Sequence, residues 1–175
     1  MKNTRLFVVG VIAMIIVVAG SNVLVQYPIN DWLTWGAFTY PMAFLVNDLT
    51  NRALGPRRAL QVVYMGFALA VLLSVWVATP RIALASGTAF LIAQLLDIWI
   101  FHRLRRTIRW WKAPLISSTI ASTVDTGLFF SIAFAGTGLP WLTWGVGDFI
   151  AKMCVALAML VPFRVLMNIT RPQGA

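Results

Sequence analysis

"TYPMAFLVNDLTNRALGPRRA", residues 39–59, runs apolar from Met42 to Val46 and then turns polar before it ends, at Asn47, Asp48, Asn51 and Arg52. Gly55 and Pro56 supply a turn, and Arg57 and Arg58 follow it. The fold depends on what surrounds these side chains. In water they are an ordinary polar helix face; in a bilayer they must find partners inside the protein.

Composition settles the surroundings. Of the 175 residues 60% are hydrophobic and 11% charged, with a mean hydropathy of +0.84. A soluble domain holds about 45–50% apolar and about 25% charged residues, and a chain of this size has no core large enough for the excess. The reading is an all-α integral membrane protein. Six apolar segments are expected to span it, approximately Leu6 to Val25, Trp32 to Leu49, Leu60 to Ala78, Ile82 to Phe101, Pro114 to Ala135 and Val146 to Met167. Most have the ~20 residues that a helix needs to cross the hydrocarbon core. The second is interrupted by Thr34, Gly36, Thr39, Tyr40 and Pro41. The first follows Lys2 and Arg5 but is too long for the apolar part of a signal peptide, so it reads as a retained helix. Residues 1–175 are then one six-helix domain.

Basic residues orient it. With both termini cytoplasmic, 12 of the 14 lie inside: Lys2, Arg5, Arg52, Arg57, Arg58, Arg103, Arg105, Arg106, Arg109, Lys112, Arg164 and Arg171. Arg81 alone falls outside, and Lys152 stays within the sixth span. The net charge of +9 is thus mostly topological, and "HRLRRTIRWWK" is a loop facing anionic lipid rather than a nucleic-acid patch. The single cysteine, Cys154, excludes an internal disulfide and reads as a small core hydrophobe.

There is no Glu, and four of the five Asp residues, Asp48, Asp97, Asp125 and Asp148, lie in or at the ends of spans. Ionisable groups there normally face a bundle interior or a water-filled cavity. Ser118, Ser122 and Asp125 share a helix face, as do Gln94 and Asp97. Asp48 with Arg52, and Asp148 with Lys152, are spaced as i, i+4 ion pairs or a gate. Asp125, about 17 Å into its helix, has no basic neighbour in sequence and needs a partner from elsewhere. "DTG" at 125–127 and "GVGD" at 145–148 copy triplets of aspartyl proteases, yet the two carboxylates are expected at depths roughly 8 Å apart, too far to share a proton. No serine-hydrolase pair, metal-ligand motif, P-loop or dinucleotide fingerprint is present, so neither catalysis nor a cofactor is expected. A small-molecule transporter or binding subunit remains, with Tyr40 and Phe44 as flat surfaces beside the break at Pro41.

The blocks "YPMAFLVNDLTNRALGPRRA", "RIALASGTAFLIAQLLDIWIFHRLR", "WWKAPLISSTIASTVDTGLFFSIAF" and "DFIAKMCVALAMLVPFRVL" resemble the queuosine precursor transporter family, also called the vitamin uptake transporter family. The resemblance runs from about Tyr40 to the end of the sixth span. It implies a multi-pass inner-membrane importer of 7-deazaguanine bases, the 7-cyano and 7-aminomethyl precursors of a modified tRNA nucleoside, and a likeness to the substrate-binding subunits of energy-coupling-factor vitamin importers. For such a ligand the expected contacts are Asp97 or Asp125 to the amino face, and Asn47, Gln94 and Lys152 to the carbonyl or the 7-substituent. Ser122 lies beside them, and Phe44 or Tyr40 stacks on the ring. The energetic alternatives are a proton-coupled carrier, a facilitator, or a subunit of an ATP-driven importer. Gly10 and Ala13 on the first span suit docking to such a module or a homodimer.

Overall fold

The computed structural model describes residues 2–24, 27–30, 32–77 and 79–169. The expected span ends at Val25 and Ala78, and Arg171, lie outside the described residues. Five long helices form the bundle: α1 (Lys2–Leu24), α4 (Pro56–Val77), α5 (Pro80–Leu104), α6 (Lys112–Phe134) and α7 (Trp141–Ile169). With 22 to 29 residues each, they run about 33–44 Å at helical rise, enough to cross a hydrocarbon core of about 30 Å. Among the described residues, α1, α5, α6 and α7 are also apolar enough to be membrane spans.

The second expected span is not one helix. It begins as a short antiparallel hairpin, β1 (Pro28–Asn30) with β2 (Leu33–Thr34), followed by the four-residue α2 (Gly36–Thr39) and then α3 (Met42–Leu54). Pro41 causes the break, since it has no N–H to continue the ladder from α2. The backbone stays in the right-handed helical region through Tyr40 and Pro41, and the shorter bonds Ala43 N to Tyr40 O (3.0 Å) and Phe44 N to Pro41 O (3.1 Å) restart the helix. At 13 residues, α3 is roughly 20 Å long and cannot span alone. Gly55 ends it at a φ of 84°, a conformation that favours glycine, and Pro56 opens α4.

Placement makes α3 the centre of the fold: it packs on α1, α4, α5, α6 and α7. Its buried residues are therefore Ala43, Phe44, Asn47, Asp48, Thr50 and Asn51, half of them polar amides or acids. The long helices turn apolar side chains outward instead, as Leu142, Val146, Ile150, Leu157, Val161 and Val165 do along α7. Polar inside and apolar outside is the arrangement a lipid solvent selects. Cys154 belongs to the outward set: it is exposed on α7 rather than packed in the core, because the inner face of that helix is taken by Ala151 and Lys152.

Charged residues tie the helix ends. Arg81 at the start of α5 donates to the carbonyls of Ile132 (2.7 Å) and Ala135 (2.6 Å), closing the end of α6. Arg105 donates to the Arg52 carbonyl at 2.9 Å, at the end of α3. Burial, with the Arg106 and Arg52 charges beside it, pushes the Arg105 guanidinium down from its ordinary value.

Close approach of α1 to α4 rests on small residues. A Cβ at Gly66 would stand 2.6 Å from Cγ of the fully buried Met14. Gly66→Val is expected to lower stability by about 1–3 kcal/mol through overpacking, read as an earlier thermal unfolding midpoint in detergent. Gly20→Ala, where a Cβ meets nothing within 4 Å, should leave that midpoint unchanged.

Candidate functional site

Polar side chains collect in two clusters on either side of Phe44. The first lies between α3 and α5. The Asn47 side-chain amide donates to the Gln94 carbonyl (3.2 Å) and to Asp97 Oδ2 (2.9 Å), and the Asn51 amide donates to the Ile98 carbonyl (2.9 Å). Asp48, from α3, meets Asp97 carboxyl to carboxyl, and the Ser117 hydroxyl of α6 also reaches Asp97. All are buried. They face this way because Asn47 and Asp48 stand one turn before Asn51 on the side of α3 that meets α5, and Gln94 and Asp97 are one turn apart on α5.

The second cluster joins α6 to α7. Lys152 Nζ contacts Asp125 Oδ2 at 2.7 Å, Asp148 Oδ2 at 2.5 Å and Thr126 Oγ1 at 3.1 Å. The Thr126 hydroxyl donates onward to Asp148 Oδ2 (2.8 Å). From the helix break, the Tyr40 hydroxyl donates to Asp125 Oδ1 at 3.4 Å, while its ring lies 5.4 Å from the ammonium. One buried cation thus binds two carboxylates, the arrangement that a low dielectric demands of an ammonium with no access to bulk water.

Phe44 lies between the clusters along α3 and packs on Ala93 and Ala121. A narrow, partly open cleft begins beside it, lined by Pro41, Phe44, Leu45 and Asp48, by Pro114 and Ser118 of α6, and by Ala156, Met159, Leu160 and Phe163 of α7. Asp48 belongs to both the cleft wall and the first cluster, so it links the opening to the buried polar groups.

Several expectations change here. Asp125 does find its partner on another helix, and the partner is Lys152, which keeps its local bond to Asp148 as well. The depth gap between Asp125 and Asp148 is not present. Helix α7 starts at Trp141, not near Val146, so Asp148 is seven residues in, roughly 10 Å from the helix start, and both carboxylates reach one ammonium. Lys152 occupies the position between them where a protease would hold water, so the protease reading fails on occupancy rather than on depth. The glycines of "GVGD" serve packing: a Cβ at Gly147 would stand 3.2 Å from the Trp32 carbonyl oxygen, and one at Gly145 would meet the Phe130 ring at 3.6 Å. Asp48, expected as a gate or as the ion-pair partner of Arg52, lies against Asp97 in the cleft wall. Thr126 and Ser117 belong to the clusters although neither stood out in sequence; adjacency to Asp125 and to Ser118 was the only signal available.

A family described as "Putative vitamin uptake transporter" matches residues 34–79 and 74–167 of the chain. Among similar proteins are a "Probable queuosine precursor transporter" of Haemophilus influenzae, 32% identical over 89% of this chain and 83% of its own length, and a "Queuosine precursor transporter" of Escherichia coli strain K12, 32% identical over 88% and 83%. A "Probable queuosine precursor transporter" of Bacillus subtilis strain 168 is 25% identical over 73% of this chain and 68% of its own length.

Removing the ammonium strands the buried Asp125 carboxylate and the half-buried Asp148, so Lys152→Met is expected to cost about 3–5 kcal/mol, seen as a large drop in the thermal midpoint of the detergent-solubilised protein. Asp148→Asn, which leaves the Lys152–Asp125 pair intact, should cost less; equal midpoints for Lys152→Met and the unsubstituted protein would show that the cluster does not hold α6 to α7.

Proposed function

The chain belongs to the vitamin uptake transporter family, and from that premise we propose that it imports queuosine precursors, the 7-cyano or 7-aminomethyl 7-deazaguanine bases, into the cytoplasm. It is a multi-pass inner-membrane transporter and not an enzyme, as its relatives' names and its apolar helices indicate. The observation that carries the finer reading is the burial of Asn47, Asp48, Gln94 and Asp97 against one another inside a lipid-facing shell, beside a narrow cleft that Asp48 also lines. Such groups are costly in a membrane interior and are kept there for a polar solute.

In this reading the ligand enters by the cleft and lies along Phe44. Tyr40, Asn47, Gln94, Asp97 and Ser122 surround it, and Asp125 and Lys152 close the far wall. Phe44 supplies a stacking surface, which contributes about 1–3 kcal/mol to base binding. Alternating access would then turn on the Pro41 break, since α3 is half a span joined to the rest by Tyr40 and Pro41 at one end and by Gly55 and Pro56 at the other.

Uptake of labelled 7-cyano-7-deazaguanine into liposomes holding only this protein tests the function. Accumulation driven by an imposed pH gradient makes it a self-sufficient proton-coupled carrier, and gradient-independent equilibration makes it a facilitator. Binding without uptake would assign it instead to an ATP-driven importer as its substrate subunit. In the transporting case Asp125→Asn should abolish uptake with the amount of protein in the membrane unchanged.

Cytoplasmic termini place the exposed loop at Thr107 inside and that at Leu139 outside. In a Cys154→Ser background, a membrane-impermeant maleimide applied to spheroplasts should label Leu139→Cys and spare Thr107→Cys until the membrane is opened. The reverse pattern would invert the topology.

A further inference from the structure

The two clusters differ in what they leave unsatisfied. Around Lys152 the donors and acceptors answer one another. In the first cluster the side-chain atoms Asn47 Oδ1, Asp48 Oδ1, Asn51 Oδ1, Asp97 Oδ1 and both ends of the Gln94 amide are buried with no protein partner, and the Ser122 hydroxyl nearby is in the same condition. Most buried polar atoms in folded proteins are hydrogen-bonded, so a group of open ones contributed by neighbouring helices marks a place where something else supplies the bonds.

Their chemistry is lopsided. The amide nitrogens of Asn47 and Asn51 are committed to backbone carbonyls, which fixes both amide orientations and leaves each oxygen facing away as an acceptor. A carboxyl oxygen that carries no proton only accepts. Gln94, with both ends open, offers one donor and one acceptor whichever way its amide is turned. The count is five acceptors (Asn47, Asn51, Asp48, Asp97 and Gln94 oxygens) against one amide donor and the Ser122 hydroxyl. A complementary ligand is therefore rich in N–H donors and carries a single carbonyl acceptor. The Asp48 and Asp97 carboxyl groups lie directly against each other, and N–H donors at their free oxygens favour holding negative charge there.

We propose that Asp48, Asp97 and Gln94 are the specificity-determining residues of the transporter: the two carboxyl groups accept from the adjacent amino and ring N–H groups of a 2-amino-4-oxo heterocycle, and Gln94 donates to its ring carbonyl. The proposal rests on the transport reading above. It assigns Asp125 and Lys152 no part in reading that edge, because their hydrogen-bonding groups are engaged with each other, Tyr40, Thr126 and Asp148. A site built around such acceptors penalises a ligand that lacks the donor, since the buried oxygens are then left unpaired.

The experiment is competition for uptake of labelled 7-cyano-7-deazaguanine in liposomes, with the unlabelled parent and with its analogue lacking the 2-amino group as competitors. For the unsubstituted protein the analogue should compete about 100-fold more weakly or worse. Asp97→Asn should bring that ratio under about tenfold by weakening the parent, whereas Thr123→Val on the exposed face of α6 should leave it as it was. Equal competition by the two compounds in the unsubstituted protein overturns the assignment while leaving transport standing, and so does a ratio unaltered in Asp97→Asn. Folded protein that neither binds nor exchanges the parent overturns the transport reading, and this one with it. The comparison of competitors needs no variant, so it decides the matter even where Asp97→Asn fails to accumulate.

Discussion

One ammonium organises the half of the bundle that holds the helix break. Lys152 is 4% exposed and binds Asp125 across to α6 and Asp148 one turn back on α7, while Tyr40 closes on Asp125 from the start of α3. Each of these groups is expensive to bury alone, and each is tolerated because the others are present. The consequence is geometric: three separate stretches of chain must arrive at one point, and that meeting sets how α6, α7 and the Tyr40–Pro41 turn are arranged around Phe44. The cleft beside Phe44 is then bounded by elements whose positions the ion pairs hold.

The same economy governs α3. A helix of 13 residues carrying two asparagines and an aspartate would not stay in lipid by itself. It is enclosed by five other helices, and its polar face is matched to the Gln94 and Asp97 face of α5. Pro41 and Gly55 are what make so short an element feasible, since one interrupts the backbone ladder and the other reverses the chain at a positive φ. Irregular backbone at such a depth is accepted only where protein encloses it or a cavity opens on it, and both conditions hold beside the cleft.

The two clusters therefore divide the work. One is internally complete and mechanical; the other is incomplete and acceptor-rich, and it shares Asp48 with the opening. Sequence spacing alone could not separate them, because Asp48, Asp97, Asp125 and Asp148 look equivalent as isolated acids in apolar runs. Which acid meets a cation and which meets another acid is decided by the helix opposite. The triplets "DTG" and "GVGD" illustrate the point: their acids do come together, but around a lysine, and their glycines make room for Trp32 and Phe130.

By itself the sequence determined the solvent, the class and most of the helices, since mean hydropathy and run length report directly on burial in lipid. It also singled out the buried polar residues by type, because amides and charged groups in apolar runs must face inward; Asn47, Gln94, Asp97, Asp125 and Lys152 were legible on that ground. Only the tertiary structure decided that the stretch from Pro28 to Leu54 folds as a hairpin, a single helical turn and a short helix, that α7 begins at Trp141, and that Cys154 faces outward. It alone decided the pairing of Lys152 with Asp125 and of Asp48 with Asp97. Periodicity states which face of a helix is polar, but which neighbour that face meets is set by packing between segments far apart in the chain, and no local pattern encodes it.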